Sequence, residues 1–331
     1  MGNDGRSVAA GVLTAAALTA LVATTWSPAA ADRIRRPYRV AVLNDARAAN
    51  HPAVDGLKTG LRQLGLQERR DVVFDVPLTD ADAERLTAAA RAVAAASADV
   101  IFTSGEAATQ AARAATTTIP IVFTVVGDPV GAGIVPSLAG PVGNVTGISS
   151  LSTELVAKRL EALRALAPRL QRVWIISEAG DRGTAAMLAR AREVASRLGV
   201  EIVDRTVATS HQLENVLGHV GPDDGLLVPD LGVMDVAAEL LEVSLLRHAP
   251  AMFSSALWVS HGGLIAYGAD YRAQGVQAAR LVAKILRGAQ PSDLPVEGAD
   301  HVLLAVNLKT AAAFGLVAPP TLLYRANILR R

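Results

Sequence analysis

Short apolar runs alternate along the chain with longer segments in which apolar residues recur every three to four positions. Helical periodicity begins at Pro52, for example, and ends before Gly65, a residue type that commonly follows a helix. Strands alternating with helices predict parallel sheets covered by helices. Four early runs have the length and β-branched content of buried strands: Tyr38–Leu43, Val72–Val76, Asp99–Thr103 and Ile119–Val126.

A second series repeats the first after roughly 130 residues, with little residue identity. We therefore predict an α/β fold of two doubly wound parallel-sheet lobes, with a ligand cleft between them. Glycine- and proline-rich stretches at 140–147 and 291–295 are the predicted crossovers. They divide the chain into one lobe of residues 37–146 and 264–292 and a second of residues 147–263 and 293–331. The second series of strands is predicted at Val173–Ser177, Glu201–Val207, Gly225–Pro229 and Ala251–Ser255, and one more strand is predicted near the end of the chain at Gly263–Gly268.

The first 31 residues have the pattern of a signal peptide. Arg6 precedes an apolar run from Val8 to Val22, and Pro28 and the small residues up to Ala31 follow it. We expect cleavage near Ala31 and a mature chain outside the cytoplasmic membrane. The alternative is an uncleaved anchor, although the apolar run is shorter than the ~20 residues that span a bilayer.

Composition narrows the chemistry that the chain could perform. The 331 residues carry a formal net charge of +1 with no basic block, so we predict no nucleic-acid partner. The absence of cysteine excludes disulfides, a thiolate nucleophile, Cys-ligated zinc and lipid attachment to cysteine. Hydrolase elbows and His-Glu-x-x-His spacing are also missing. We therefore predict no catalytic residue, no metal and no cofactor.

The stretch FTVVGDPVGAGIV, Phe123 to Val135, leads an apolar strand directly into a glycine-rich loop. A Walker loop would need Lys-Ser/Thr after its last glycine, where Ile134 follows here. A dinucleotide fingerprint would need a third small residue where Pro136 stands. We instead predict that this loop belongs to a ligand site at the carboxyl ends of the strands.

Polar residues at the strand ends are the candidates for this site. A helix starting near Glu106 would offer N–H groups to a ligand carboxylate, with Ser104 as a further donor. Asp128 would hold an ammonium group. The structural alternative is that Ser104 caps a helix and Asp128 belongs to a turn. The predicted ligand-binding residues are Asn44, Ser104, Gly105, Thr124 and Asp128 in the first lobe and Asp230, Ser254 and Tyr267 in the second.

The run Gly127-Asp-Pro-Val-Gly-Ala-Gly133 is the most specific of a set of motifs that cover nearly all of the chain beyond residue 31. The other motifs lie at 143–147, 158–163, 262–271, 284–288, 291–296, 307–311 and 322–327. Together they resemble the ABC-transporter substrate-binding family of the tryptophan/tyrosine type. The chain departs from the family pattern at 139–143, 228–232 and 253–258, which affects the identity of the ligand rather than the architecture.

The resemblance implies a type I periplasmic binding protein that closes on a small organic ligand, such as an amino acid or a related carboxylate. It also implies delivery of that ligand to ABC permease subunits at the membrane. The segments matching Ser104–Gly105 and Thr124–Asp128 would line the cleft. We expect a monomer. A periplasmic sensor subunit for a membrane receptor and an exported α/β enzyme are the alternatives.

Overall fold

The computed structural model of the protein describes residues 36–45, 51–80, 82–179, 184–221, 223–228 and 236–331. The predicted signal segment and Asp230 lie outside these residues. The described strands are β1 (Tyr38–Asn44), β2 (Val72–Asp75), β3 (Val100–Ser104), β4 (Ile121–Val126), β5 (Val145–Ser149), β6 (Arg172–Glu178), β7 (Glu201–Val207), β8 (Asp224–Leu227), β9 (Ala251–Phe253), β10 (Ile265–Ala269), β11 (Glu297–Gly298), β12 (Val302–Asn307) and β13 (Ile328–Arg330).

The described helices alternate with these strands. They are α1 (Pro52–Gln63), α2 (Ala83–Ala95), α3 (Glu106–Ala115), α4 (Ser152–Leu166), α5 (Thr184–Leu198), α6 (Ser210–Leu217), α7 (Val236–Arg247), α8 (Ala256–Ser260), α9 (Tyr271–Leu286), α10 (Leu308–Ala313) and α11 (Pro320–Arg325). Helix α1 follows the predicted rules closely, since Pro52 occupies its first turn and His51 caps its start.

The strands form two sheets, which confirms the predicted fold class. The first sheet has the order β11-β5-β4-β3-β1-β2, and the second has the order β13-β12-β10-β9-β8-β6-β7. Strand order reverses beside β1 and beside β6, as in doubly wound folds. Every pairing is parallel except that of β10 with β12, which is antiparallel.

Helices cover both faces of each sheet, which explains why the central strands read as continuous apolar runs. In the first lobe, α1 and α9 bury one face of the sheet and α2 and α3 bury the other. In the second lobe, α4 and α5 pack on one face and α6, α7 and α8 on the other. Each lobe therefore has its own hydrophobic core on either side of its sheet.

The points at which the chain passes between the sheets differ from the predicted boundaries. Strand β5 still belongs to the first sheet, so the first passage follows Ser149. Strand β10 pairs with β9 and β12 in the second sheet, although the boundary at residue 264 assigned it to the first lobe. Strand β11 returns to the first sheet beside β5. Glycine and proline mark loops, but only strand pairing determines which sheet the next strand joins.

None of the helices in the described part of the chain has both the length and the apolar character that crossing a bilayer requires.

Candidate ligand-binding site

Three strands of the first sheet end side by side and bring predicted site residues together. Asn44 lies opposite Ser104, and Ser104 lies opposite Thr124. All three residues are buried. The Thr124 hydroxyl donates to the Thr103 carbonyl (3.1 Å), and the Gly105 N–H donates to the Thr124 carbonyl (3.0 Å). The carboxyl ends of β1, β3 and β4 therefore form a hydrogen-bonded edge of the first sheet, as predicted.

His51 adds an imidazole to this edge. Its Nδ1 accepts the Ala53 N–H at the start of α1 (3.2 Å) and lies 3.1 Å from the Ser104 hydroxyl. Because Nδ1 accepts from a backbone N–H, the Ser104 hydroxyl donates to it and the ring proton lies on Nε2. Burial lowers the pKa of His51 to about 4. The imidazole is therefore neutral at physiological pH.

Tyr271 connects this edge with the second lobe. Its ring stacks on His51 with the centroids 5.6 Å apart and the planes 29° apart. Its hydroxyl lies 3.4 Å from the Ser254 hydroxyl, which follows β9. Ser104, His51, Tyr271 and Ser254 thus form a continuous contact path, which we call the inter-lobe path. Along this path, the carboxyl end of strand β3 in the first sheet is connected with that of strand β9 in the second sheet.

Gly105 explains how a carboxylate reaches the start of α3. Its φ is +102°, a conformation that favours glycine, and a Cβ added there would lie 1.9 Å from Oδ2 of Asp45. Asp45 is buried and follows β1. A negative charge beside a helix start is favoured by the helix dipole. The chain's own carboxylate therefore lies against the Gly105 backbone, and a ligand contact at Gly105 stays a prediction.

Asp128 begins the turn that follows β4. Its Oδ1 accepts the N–H groups of Val130 (3.2 Å) and Gly131 (2.8 Å). This is the turn arrangement that sequence analysis kept as the alternative. A contact between Asp128 and a ligand ammonium stays a prediction.

The end of β4 also has an unusual backbone. Val125 has a φ of +57°, which is strained for a β-branched residue, and the pairing of β4 with β5 shifts register around it. Gln274 of α9 accepts the Val125 N–H (2.9 Å) and donates to the Ser150 hydroxyl (3.0 Å). A helix distant in sequence therefore fixes the conformation of the loop that was predicted to contact ligand.

The predicted residues of the second lobe occupy different environments. Ser254 is buried on the inter-lobe path. The Tyr267 side chain packs against the core between the second sheet and α4, and its carbonyl accepts from Nε of Arg159 (2.7 Å). Asp270, which was not among the predicted residues, caps α9, because its Oδ1 accepts the N–H groups of Arg272 and Ala273.

Sequence reasoning missed His51, Tyr271, Gln274 and Arg159. Tyr271 is the last residue of the motif at 262–271, but it was not among the predicted ligand-binding residues. Arg159 interrupts the apolar stripe of α4 and is fully buried, which is rare for a charged residue. The position of this cation next to an apolar stripe was the one signal in the sequence that could have identified Arg159 as a candidate site residue. Within the described residues, no cluster of acidic, histidine or cysteine side chains is suited to holding a metal ion.

Two α/β lobes whose strand ends meet across a polar and aromatic path define a two-lobed ligand-binding protein. The family described as ABC transporter substrate binding protein matches residues 40–329. The chain belongs to this family, as the resemblance predicted. It is therefore a substrate-binding protein of the ABC-transporter type, and the family as such binds ligands and works with ABC permeases.

Known relatives and structures agree with this assignment. The chain is 27% identical over 277 residues to the tyrosine-binding protein of Clostridioides difficile, a match that covers 82% of this chain and 80% of that protein. The structure of a conserved domain protein from Vibrio cholerae has a TM-score of 0.81 and 27% identity, over 89% of this chain and 100% of that one. An ABC domain from Streptococcus pneumoniae in complex with L-Trp has a TM-score of 0.79 and 21% identity, over 88% and 99% of the two chains.

Proposed function

We propose that this protein is an exported substrate-binding protein that captures an aromatic amino acid and delivers it to the permease of an ABC importer. The inter-lobe path is the observation that carries the proposal. It joins a hydroxyl from each lobe, Ser104 and Ser254, through the stacked rings of His51 and Tyr271, and a ligand with polar and aromatic parts needs groups of both kinds. The tyrosine and tryptophan named for the two relatives support the same ligand class.

Closure follows from a ligand that contacts both lobes. Such a ligand binds the closed arrangement more tightly than the open one and shifts the equilibrium by that difference. A ligand held by one lobe alone would shift nothing. The Ser104 and Ser254 hydroxyls, one at each end of the path, are the groups we expect to sense the ligand.

A calorimetric panel tests the ligand class. The chain from Asp32 onward would be titrated with L-tyrosine, L-tryptophan, L-phenylalanine, L-leucine and D-ribose. We expect saturable one-to-one binding of an aromatic amino acid and no heat from ribose. Ser104→Ala should weaken that binding, whereas Ser196→Ala, an exposed hydroxyl on α5, should leave it unchanged. No binding of any amino acid would overturn the proposal.

Export, oligomeric state and the absence of turnover are part of the proposal. Cell fractionation with N-terminal sequencing should find the mature chain outside the cytoplasmic membrane, starting near Asp32. A retained N-terminus would instead identify an uncleaved anchor. Light scattering should give a monomer. L-tyrosine recovered unchanged after prolonged incubation is expected for a transport protein, and a reaction product would identify an enzyme.

A further inference from the structure

We propose that Arg159 is a specificity-determining residue that binds the carboxylate of the ligand. This inference rests on the proposed function and extends it, because it assigns a charged contact to the second lobe. None of the residues predicted from sequence supplies a cation to the cleft. The proposal stands on the burial, bonding and position of the Arg159 guanidinium.

The guanidinium is a buried cation with neutral partners. Arg159 is 0% exposed. Its Nε donates to the Tyr267 carbonyl (2.7 Å) and its Nη1 to the Ser152 hydroxyl (3.5 Å). Its Nη2 is buried and, within the described part of the chain, has no hydrogen-bond partner. Burying a charged donor without an acceptor is costly, so such a group needs an explanation in a native fold.

A carboxylate is the acceptor that suits this group best. The guanidinium is planar, always charged, and presents parallel N–H groups that match the two oxygens of a carboxylate. Neutral acceptors already occupy Nε and Nη1, so Nη2 remains for a ligand oxygen. An anionic ligand group would supply an acceptor for Nη2 and a counter-charge, neither of which the described residues provide.

The guanidinium of Arg159 lies near the second-lobe end of the inter-lobe path, close to Ser254. Side chains on a helix point back towards its N-terminus, so Arg159 reaches towards Ser152, where the chain enters α4. Its Nη2 would lie 3.1 Å from a Cβ added to Gly268, and the same Cβ would lie 1.7 Å from the Ser254 carbonyl oxygen. Gly268 thus brings the guanidinium close to Ser254, and Ser254 contacts Tyr271 on the path.

A cycle of ligand and protein changes tests the contact. Wild type, Arg159→Met and Arg159→Lys would each be titrated with L-tyrosine, L-tyrosinamide and tyramine. Removing one partner of a charge-assisted hydrogen bond costs about 10- to 100-fold in affinity. We expect Arg159→Met to weaken L-tyrosine binding by about that factor and to change tyramine and tyrosinamide binding less than about threefold.

Arg164→Met is the matched control. Arg164 lies on the same helix and donates to the Pro168 carbonyl, away from the path. It should leave all three affinities unchanged. Thermal unfolding without ligand reports whether each variant is folded.

The outcomes separate this inference from the proposed function. If Arg159→Met weakens L-tyrosine and tyramine equally, Arg159 only supports the fold and the inference is wrong, while the proposed function stands. If Arg159→Met does not fold, the inference is tested by the affinities of wild type and of Arg159→Lys for L-tyrosine and L-tyrosinamide. Wild-type affinities that are equal for L-tyrosine and L-tyrosinamide, or a Lys variant that weakens both equally, would overturn the inference. If wild type binds no amino acid, both proposals fail.

Discussion

The two lobes bring a charged group to the cleft edge in the same way but balance it differently. In the first lobe, Gly105 allows the buried Asp45 carboxylate to lie against the start of α3. In the second lobe, Gly268 allows the buried Arg159 guanidinium to lie near Ser254. The carboxylate has a favourable helix dipole beside it. The described partners of the guanidinium are neutral.

This difference indicates where a ligand gains most from an electrostatic contact. A carboxylate at a helix start is already stabilised by the helix dipole, whereas a buried cation whose described partners are neutral gains more from contact with an anion. The first lobe is therefore expected to supply shape and neutral hydrogen bonds, and the second to supply charge. Substitutions at the two glycines and along the path test this division.

The largest effect is expected from Gly268→Ala. Its new methyl group would meet the Ser254 carbonyl at 1.7 Å, so the backbone of β10 or the segment after β9 must move. We expect a loss of about 3 kcal/mol in the free energy of unfolding and loss of ligand binding. Denaturant unfolding and calorimetry would measure both. Gly140→Ala is the control and should be nearly neutral, because its new methyl group would lie 3.8 Å from the Ser137 hydroxyl, an ordinary van der Waals distance.

Gly105→Ala should be the next most harmful change. It combines a left-handed backbone with a clash against the Asp45 carboxylate, so we expect a loss of about 2 to 3 kcal/mol in unfolding free energy. Gly65→Ala separates the strained backbone from the clash, because Gly65 has a φ of +84° and, its two chain neighbours aside, none of the described residues comes within 4 Å of its Cβ position. If both variants lose the same stability, the approach of Asp45 to Gly105 contributes nothing.

Acid should destabilise the first lobe through His51. The unfolded chain protonates this histidine near pH 6.5, whereas the folded protein does so only near pH 4. Between these values the unfolded state binds more protons, so stability falls as the pH is lowered from 6.5 to 4 and levels off below. We expect a loss of about 2 kcal/mol between pH 7 and pH 5 that is missing in His51→Asn.

Asparagine is the suitable replacement because its side chain also accepts a backbone N–H at a helix start. Asp300 raises the pKa of the exposed His301, which gives the opposite pH dependence. That contribution is present in both proteins and cancels in the comparison. Parallel pH profiles for wild type and His51→Asn would contradict the account of His51 as a neutral buried group.

The smallest effect is expected from Tyr271→Phe, which removes the hydroxyl facing Ser254 and keeps the ring stacked on His51. The loss in unfolding free energy should be about 1 kcal/mol, with weaker ligand binding. Tyr324→Phe removes a hydroxyl from a residue that is 93% exposed and should change neither. Unaltered ligand affinity in Tyr271→Phe would remove Tyr271 from the proposed site.

Local pattern was sufficient to predict strands β1 to β4 and β6 to β10 and the edge on which the first-lobe residues meet, but not β5, β11, β12 or β13. Buried parallel strands are apolar throughout and their carboxyl ends share one edge, so Ser104 and Thr124 were expected on the same edge, where they lie opposite each other. The positive φ of Val125 could not be predicted, because Gln274 fixes it from 149 positions away in sequence. The sheet that β10 joins depends likewise on pairing with β9 and β12 rather than on its own residues.

Arg159 shows that the contacts of a charged side chain are equally hard to predict from sequence. Its position on α4 follows from helical period, but its ability to bind a ligand depends on contacts with Gly268 and Tyr267, which lie on β10. A sequence places a charge on a face of a helix. Only the fold determines whether that charge is paired.

The most direct test of the central claim, that ligand binds between the lobes and draws them together, is a distance measurement. The chain has no cysteine, so spin labels can be placed at Glu84→Cys in the first turn of α2 and His211→Cys in the first turn of α6. Both positions are exposed and lie on different lobes. A pair at Arg62→Cys and Glu84→Cys, within the first lobe, is the control.

Saturating L-tyrosine should shift the distance distribution of the Glu84–His211 pair to one narrower population and leave the control pair unchanged. An unchanged Glu84–His211 distribution in a sample that calorimetry shows to be saturated would contradict the account.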